Sequence, residues 1–143
     1  MKLEPLLLLP GMMCDSRMYA SQILALEDLT ECQVGNIGGA NNMVDIAAQV
    51  LAQAPDKFAL AGLSMGGIVA MEIIRQAPER VTRLALMNTN PCAEEDAVKV
   101  TRQPQIDLVR ADQLEPMLRD TMVPRYFATQ EAHSQFDQLC IDM

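Results

Sequence analysis

Predicted strands and amphipathic helical patterns alternate along residues 6–87, and no other feature of the sequence restricts the fold as strongly. Apolar runs such as residues 6–9 are typical of strands that are buried on both faces. Strands that alternate with short helices favour parallel pairing, because each helix carries the chain back across the sheet. The pattern therefore predicts an α/β fold with a parallel, doubly wound sheet and helices on both faces. The four predicted strands occupy residues 6–9, 31–37, 58–62 and 84–87.

Capping residues and prolines set the predicted helix boundaries. Asp15 or Ser16 can cap a first helix. Asn41 or Asn42 can cap a second helix, which Pro55 stops. A third helix begins after the third strand and ends near a proline. The helix has apolar residues at Ile68, Met71, Ile74 and neighbouring positions, and the proline is Pro78.

The character of the chain changes after residue 92. No strand-like run follows, and short helices broken at Pro104, Pro116 and Pro124 are predicted. We therefore divide the chain into a sheet core, residues 1–92, and a helical segment, residues 93–143. An apolar helical stripe then continues to the last residue without a terminating signal, so we expect a truncated chain with an incomplete sheet. The stripe comprises Ala132, Phe136, Leu139, Cys140 and Met143.

The motif G-x-S-x-G occurs once, between the third strand and the third helix. A serine in such a strand–helix turn has a strained backbone, which glycines two residues away on each side make sterically allowed. Gly62 and Gly66 meet that need around Ser64. The turn predicts that Ser64 is a nucleophile at the carboxyl ends of the strands, with the amide of Met65 as an oxyanion donor.

Two other interpretations of this motif were weighed. The first is a glycine-rich turn with a passive serine, which the surrounding strand–helix context disfavours. The second is a nucleotide-binding loop. The sequence lacks a G-x-G-x-x-G after the first strand and lacks a GK[ST] motif, so it gives no support for nucleotide binding.

With this elbow, the chain resembles the α/β-hydrolase family. Residues 6–12 are similar to the family's oxyanion loop, in which the residue after a glycine supplies the second amide; that residue is Met12 here. Pro10 stands where the family more often has a histidine, a departure that leaves the amide in place. Residues 77–81 and the segment from residue 93, similar to the family's helical cap, extend the resemblance. It implies a serine hydrolase that acts on an ester, thioester or similar carbonyl bond through a Ser64 acyl-enzyme, without metal or organic cofactor.

The resemblance also implies a catalytic acid and a histidine after further strands, and the sequence offers no clear candidate for either. His133 is the one histidine, and it is predicted to form a surface pair with Asp137 on a helix. Cys14 has no identifiable activating base, so we interpret it as a small, partly buried residue. We expect this chain to be a weak esterase by itself and to self-associate through the exposed edge of its fourth strand.

Two further functions stay open at this point. One is a non-catalytic ligand-binding or regulatory module on the same scaffold, in which replacement of Ser64 would leave ligand affinity intact. The other is an acyltransferase or haloperoxidase-like reaction, because one scaffold hosts many chemistries. Competition between water and an alcohol or thiol acceptor would identify an acyltransferase.

Composition restricts the partners. A formal net charge of −8 without clustered Lys and Arg argues against nucleic acid and anionic membranes as partners. The resemblance implies a small-molecule acyl substrate. The apolar run at residues 6–9 is shorter than the roughly 7–15 residues of a signal sequence or the roughly 20 of a spanning helix. Four widely spaced cysteines indicate reduced thiols rather than a zinc site, so we expect a cytoplasmic protein.

Overall fold

The computed structural model describes residues 3–143 and contains one parallel sheet. The order of its strands is β2-β1-β3-β4, and every neighbouring pair is parallel. The parallel sheet predicted from the sequence is therefore confirmed. The strands are β1 (Glu4–Leu9), β2 (Thr30–Val34), β3 (Phe58–Leu63) and β4 (Val81–Met87). The chain forms two compact units, one up to Pro91 and the other Cys92–Met143.

Helices of the first unit begin at two of the predicted capping residues. The Asp15 carboxylate accepts a bond from Arg17 N, and Asn42 Oδ1 accepts one of 2.9 Å from Asp45 N. The second bond satisfies an amide that a first helical turn leaves unpaired. The helical segments are a 3₁₀ turn at Ser16–Tyr19, α1 (Ala20–Leu26), α2 (Met43–Gln53), α3 (Met65–Gln76) and a 3₁₀ turn at Pro78–Arg80.

Both faces of the sheet are covered, as the sequence predicted. On one face, Leu7, Leu9, Phe58 and Leu60 pack against buried side chains of α2 and α3. On the other face, a smaller cluster places the sheet against the first helical segment. It is formed by Leu8, Ala61 and Tyr19, with Met18 and Ile23 packed against them.

The second strand is shorter than the sequence predicts. It ends at Val34 rather than Ile37. Gly35 N still donates to Leu8 O at 2.9 Å, but no further residue pairs with β1. A Cβ atom built on Gly35 would lie 2.6 Å from Leu9 Cδ2, so the chain crosses closely over Leu9 there. It leaves the sheet at that point and buries Ile37 in the core.

The third helix is confirmed, and the structure shows which of its apolar positions face the core. The side chains that contact the core are Val69, Ala70 and Ile73, whereas Ile68 is 39% exposed. The reason is the close approach of the helix start to the sheet. A Cβ atom on Gly66 would meet backbone atoms of β1, which fixes the face that looks inward.

Among the described strands, β4 pairs with β3 alone and forms one edge of the sheet. Its residues 82–86 are exposed, including Leu84 and Leu86. An exposed apolar edge of this kind is a template for pairing with another strand. Self-association through it stays a prediction.

The second unit is helical. Pro104 lies inside α4 and does not break it, contrary to the prediction. A proline ring fits the helical φ angle, so the helix continues at the cost of one backbone hydrogen bond. Within residues 3–143, no helix is both long and apolar enough to cross a membrane. The elements are α4 (Asp96–Arg110), α5 (Leu114–Met117), a π-helical turn at Leu118–Met122, a 3₁₀ turn at Val123–Arg125, and α6 (Gln130–Asp142).

Candidate active site

Ser64 lies between β3 and α3 in a strained backbone conformation. Its φ and ψ angles are 51° and −117°, a region that non-glycine residues rarely adopt. A Cβ atom on Gly62 would lie 2.4 Å from Gly66 O, and one on Gly66 would lie 2.3 Å from Leu9 O. Both positions therefore require glycine. This is the geometry expected of a nucleophile elbow, and the reactivity of Ser64 stays a prediction.

Two further residues with positive φ follow strands of the same sheet. Met13 (φ 62°) comes after β1, and Asn88 (φ 43°) comes directly after β4. Because the strands are parallel, their carboxyl ends meet at the edge where Ser64 follows β3. Strained residues cluster at functional sites, and open α/β sheets bind ligands at this edge. The strain therefore marks this edge as the candidate site.

The backbone of Ser64 is bonded, whereas its hydroxyl is not. Ser64 N donates to Met87 O at 2.9 Å. Ser64 O accepts bonds from Gly67 N at 3.0 Å, Ile68 N at 3.3 Å and Thr89 Oγ1 at 2.8 Å. No residue in the described range 3–143 hydrogen-bonds to Ser64 Oγ, and Ser64 is exposed. The elbow thus holds the main chain and presents the hydroxyl outward.

An open cleft of about 280 Å³ lies at Ser64. Its lining carries the hydroxyls of Ser64 and Thr89 and the side-chain amides of Asn88 and Asn90, but neither a carboxylate nor an imidazole. The lining residues are Ser64, Ile68, Asn88, Thr89 and Asn90.

A larger surface depression of about 750 Å³ lies elsewhere, along residues 39–49. It has no nucleophilic side chain, and its one carboxylate, Asp45, accepts a bond of 2.7 Å from Asn42. Size alone therefore does not identify the reactive site. The smaller cleft is the candidate site because Ser64 lines it.

The two predicted oxyanion donors are both backbone amides near Ser64. Met65 begins α3, so its amide lies at the positive end of the helix. Met12 lies in the turn after β1, which Cys14 N closes on Gly11 O at 3.2 Å. A Cβ atom on Gly11 would lie 3.9 Å from Ser64 Cβ, so this turn lies against Ser64. Within the described residues, neither Met12 N nor Met65 N has an acceptor; their oxyanion role stays a prediction.

Tyr19 bonds to the end of β1, just before the turn that contains Met12. The sequence did not predict this contact. Its hydroxyl donates to Leu9 O at 2.9 Å, and the side chain is buried. Burial raises the pKa of Tyr19 to about 12, so the hydroxyl remains a donor at neutral pH. No local sequence pattern indicates this bond, which joins residues ten positions apart.

Asn88, Thr89 and Asn90 also line the cleft without having been predicted as site residues. Their position at the carboxyl end of a strand in a parallel sheet was the available signal. This signal places residues 88–90 beside Ser64 only once β4 is known to pair directly with β3, the strand that leads to Ser64.

His133 and Cys14, the two other reactive side chains considered, have different surroundings. His133 lies in α6, and its ring packs edge-on against Phe127 at 5.6 Å. Within the described residues, no hydrogen bond or ion pair joins His133 to its predicted partner Asp137, whose Oδ1 accepts from Gln138 N at 2.7 Å. Cys14 is half-buried, and its thiol points to Met12 O at 3.6 Å. Within residues 3–143 no group of three or more His, Cys, Asp and Glu side chains could hold a metal ion.

Comparison with known sequences gives a partial match to a curated esterase. Over 54 residues, 38% of this chain, it is 46% identical to the pimeloyl-[acyl-carrier protein] methyl ester esterase of Pectobacterium carotovorum, of which the match covers 21%. No protein-family model matches the chain.

Comparison with solved structures covers almost the whole chain. A thermophilic esterase from Thermogutta terrifontis has a TM-score of 0.79 and 25% identity over 98% of this chain and 58% of its own. The enol-lactonase from Burkholderia xenovorans gives 0.75 and 21%, over 96% and 56%. MenH from S. aureus gives 0.67 and 22%, over 99% and 60%. The chain thus shares their fold and spans less than two thirds of the length of each.

Proposed function

We propose that Ser64 is the nucleophile of a serine hydrolase, because this chain has the α/β-hydrolase fold. The proposed substrate bond is an ester, a thioester or a similar carbonyl bond. The observation that carries the proposal is the strained Ser64, whose hydroxyl is exposed at the carboxyl edge of the sheet. The similarity to an esterase sequence and to an esterase structure supports this reaction class.

The proposed reaction uses three groups of the site. Ser64 Oγ attacks the carbonyl carbon of the substrate, and its proton leaves with the departing alcohol or thiol. The amides of Met12 and Met65 stabilise the oxyanion that forms, because fixed donors at a helix start favour negative charge. Water then attacks the acyl-enzyme, which releases the carboxylic acid and restores the Ser64 hydroxyl.

The cleft around Ser64 does not contain the base that this reaction needs. A serine hydroxyl is a weak nucleophile until a general base takes its proton. Loss of the histidine from a comparable triad costs about 10⁶ in rate and leaves about 10³–10⁴ over water. We therefore expect residues 1–143, assayed by themselves, to form an acyl-enzyme slowly and to be a poor esterase.

Acetylation by p-nitrophenyl acetate tests this function. The acetylated chain is detected by intact mass, and the modified peptide is identified after digestion. We expect slow addition of one acetyl group at Ser64 and its absence in Ser64→Ala. Ser21→Ala, which removes an exposed serine of α1, is the control and should react like the wild type. Equal acetylation of wild type and Ser64→Ala would contradict the proposal.

A ligand-binding module is a second candidate, favoured by the absence of carboxylate and imidazole groups from the cleft lining. It predicts no acetylation of Ser64 even at high ester concentration and long incubation. The two candidates therefore give opposite results in the same experiment.

A further inference from the structure

The last residue of β4 and the segment that follows it are bonded to the two polar groups of the Ser64 main chain. Ser64 N donates to Met87 O at 2.9 Å, and Thr89 Oγ1 donates to Ser64 O at 2.8 Å. The other two donors to Ser64 O, Gly67 N and Ile68 N, belong to the first turn of α3. Within the described residues, Thr89 is the donor that reaches this carbonyl from outside the helix.

Thr89 is also fixed by packing. A Cβ atom on Gly67 would lie 2.7 Å from Cβ, Cγ2 and Oγ1 of Thr89, so the threonine fills the space above Gly67. The side chain is half-buried. Its hydroxyl is therefore held in place by contacts of the rest of the side chain while it points at Ser64 O.

Ser64 needs such external support because its backbone conformation is unfavourable. A residue in a sparsely populated φ/ψ region keeps that conformation only when its surroundings hold it. Bonds from the first turn occur at the start of any helix, whereas the bond from Thr89 comes from a separate segment, the one after β4. Loss of that bond would allow Ser64 O to rotate and would displace the hydroxyl.

We propose that Thr89 is a positioning residue, whose hydroxyl holds Ser64 in the strained conformation that presents its Oγ to the cleft. The consequence for reaction rate rests on the proposed role of Ser64 as nucleophile. The effect on the Ser64 backbone does not, and it is measured without any reaction.

Two substitutions separate the hydrogen bond from the packing. Thr89→Val keeps the shape that packs on Gly67 and removes the donor. Thr89→Ser keeps the donor and removes the methyl group. If Thr89 only fills space, Val should behave as wild type and Ser should not; positioning predicts the reverse order. Thr82→Val is the matched control, because Thr82 lies near the start of β4 and its hydroxyl bonds to Glu4 Oε1 at 2.6 Å.

The first readout is nuclear magnetic resonance of the full 143-residue chain. We expect the ¹³Cα and ¹³Cβ shifts of Ser64 to change in Thr89→Val, and its amide to exchange about tenfold faster, the factor that corresponds to one hydrogen bond. Thr89→Ser and Thr82→Val should keep the wild-type values at Ser64. Wild-type shifts and exchange in Thr89→Val would overturn the proposal.

The second readout is the rate at which a fluorophosphonate labels Ser64 in the same four proteins. We expect labelling about tenfold slower in Thr89→Val and close to wild type in Thr89→Ser and Thr82→Val. A wild-type rate in Thr89→Val would overturn the proposal. If no protein is labelled but Thr89→Val alone changes the Ser64 resonances, the nucleophile assignment fails and the positioning of Ser64 by Thr89 stands.

Discussion

Tyr19 donates a hydrogen bond of 2.9 Å to Leu9 O, the same carbonyl oxygen that would lie 2.3 Å from a Cβ atom on Gly66. One carbonyl thus connects the first helical segment, the end of β1 and the elbow that carries Ser64. We expect Tyr19→Phe to lower the free energy of unfolding by about 1–2 kcal/mol, because a buried carbonyl loses its donor. Urea denaturation measures this. Tyr126→Phe, at a tyrosine that is 48% exposed, should change the value by less than about 0.5 kcal/mol.

The same tyrosine predicts a stability change in alkali. Burial raises the pKa of Tyr19 from 10.0 to about 12, so the folded state favours the neutral phenol. Its contribution to stability is complete below pH 10 and is lost as the pH rises from 10 towards 12. We expect the urea midpoint to fall over this interval more steeply for the wild type than for Tyr19→Phe. Equal slopes would show that Tyr19 does not titrate in this way.

Gly66→Ala tests the contact between the elbow and β1. The new methyl group would lie 2.3 Å from Leu9 O and 2.4 Å from Pro10 O, both backbone atoms that cannot move aside easily. We expect a loss of about 3 kcal/mol in the free energy of unfolding and no reaction of Ser64 with p-nitrophenyl acetate. In the control, Gly38→Ala, the methyl group meets only the side-chain oxygen of Asn36, at 3.2 Å. A stability of Gly66→Ala equal to that control would contradict the described geometry.

Arg80 bonds to the chain between the end of α2 and the start of β3, and its replacement tests the stability of that connection. Its guanidinium donates to the main-chain oxygens of residues 51, 54, 55 and 56, at 2.8–3.2 Å, and lies 5.7 Å from the centre of the Phe58 ring. We expect Arg80→Met to cost about 2 kcal/mol, since several carbonyls lose a charged donor. Arg119→Met removes an ion pair with Glu115 in which both side chains are exposed, and it should change stability by less than about 0.5 kcal/mol. Thermal and urea denaturation compare the two variants.

Local signals in the sequence predicted the elements and the centre of the site. The apolar run of β1, the cap at Asn42 and the glycines around Ser64 each act through neighbours within a few residues. The helix break predicted at Pro104 is absent because α4 tolerates the loss of one backbone hydrogen bond. The end of β2 was misplaced because the crossing over Leu9 depends on a contact with another strand.

The supporting residues of the site were not predicted, and the reason is sequence separation. Tyr19 and Leu9 are ten residues apart, and Thr89 and Ser64 are 25 apart. Such bonds follow from the order of strands in the sheet, which places β4 beside β3 and the first helical segment beside β1. A pattern within one segment carries no information on that order. The candidate nucleophile Ser64 was therefore visible in the sequence, whereas Tyr19 and Thr89, which bond to the backbone around it, were not.

The most direct test of the account is to locate the fluorophosphonate adduct on the wild-type chain, Ser64→Ala and His133→Ala by intact mass and peptide mapping. The account predicts slow addition of one probe at Ser64, no addition in Ser64→Ala, and an unchanged rate in His133→Ala, whose ring packs against Phe127. Addition that persists in Ser64→Ala would contradict the assignment of Ser64. Rapid labelling that is lost in His133→Ala would show that His133 is the base and that the site is not deficient.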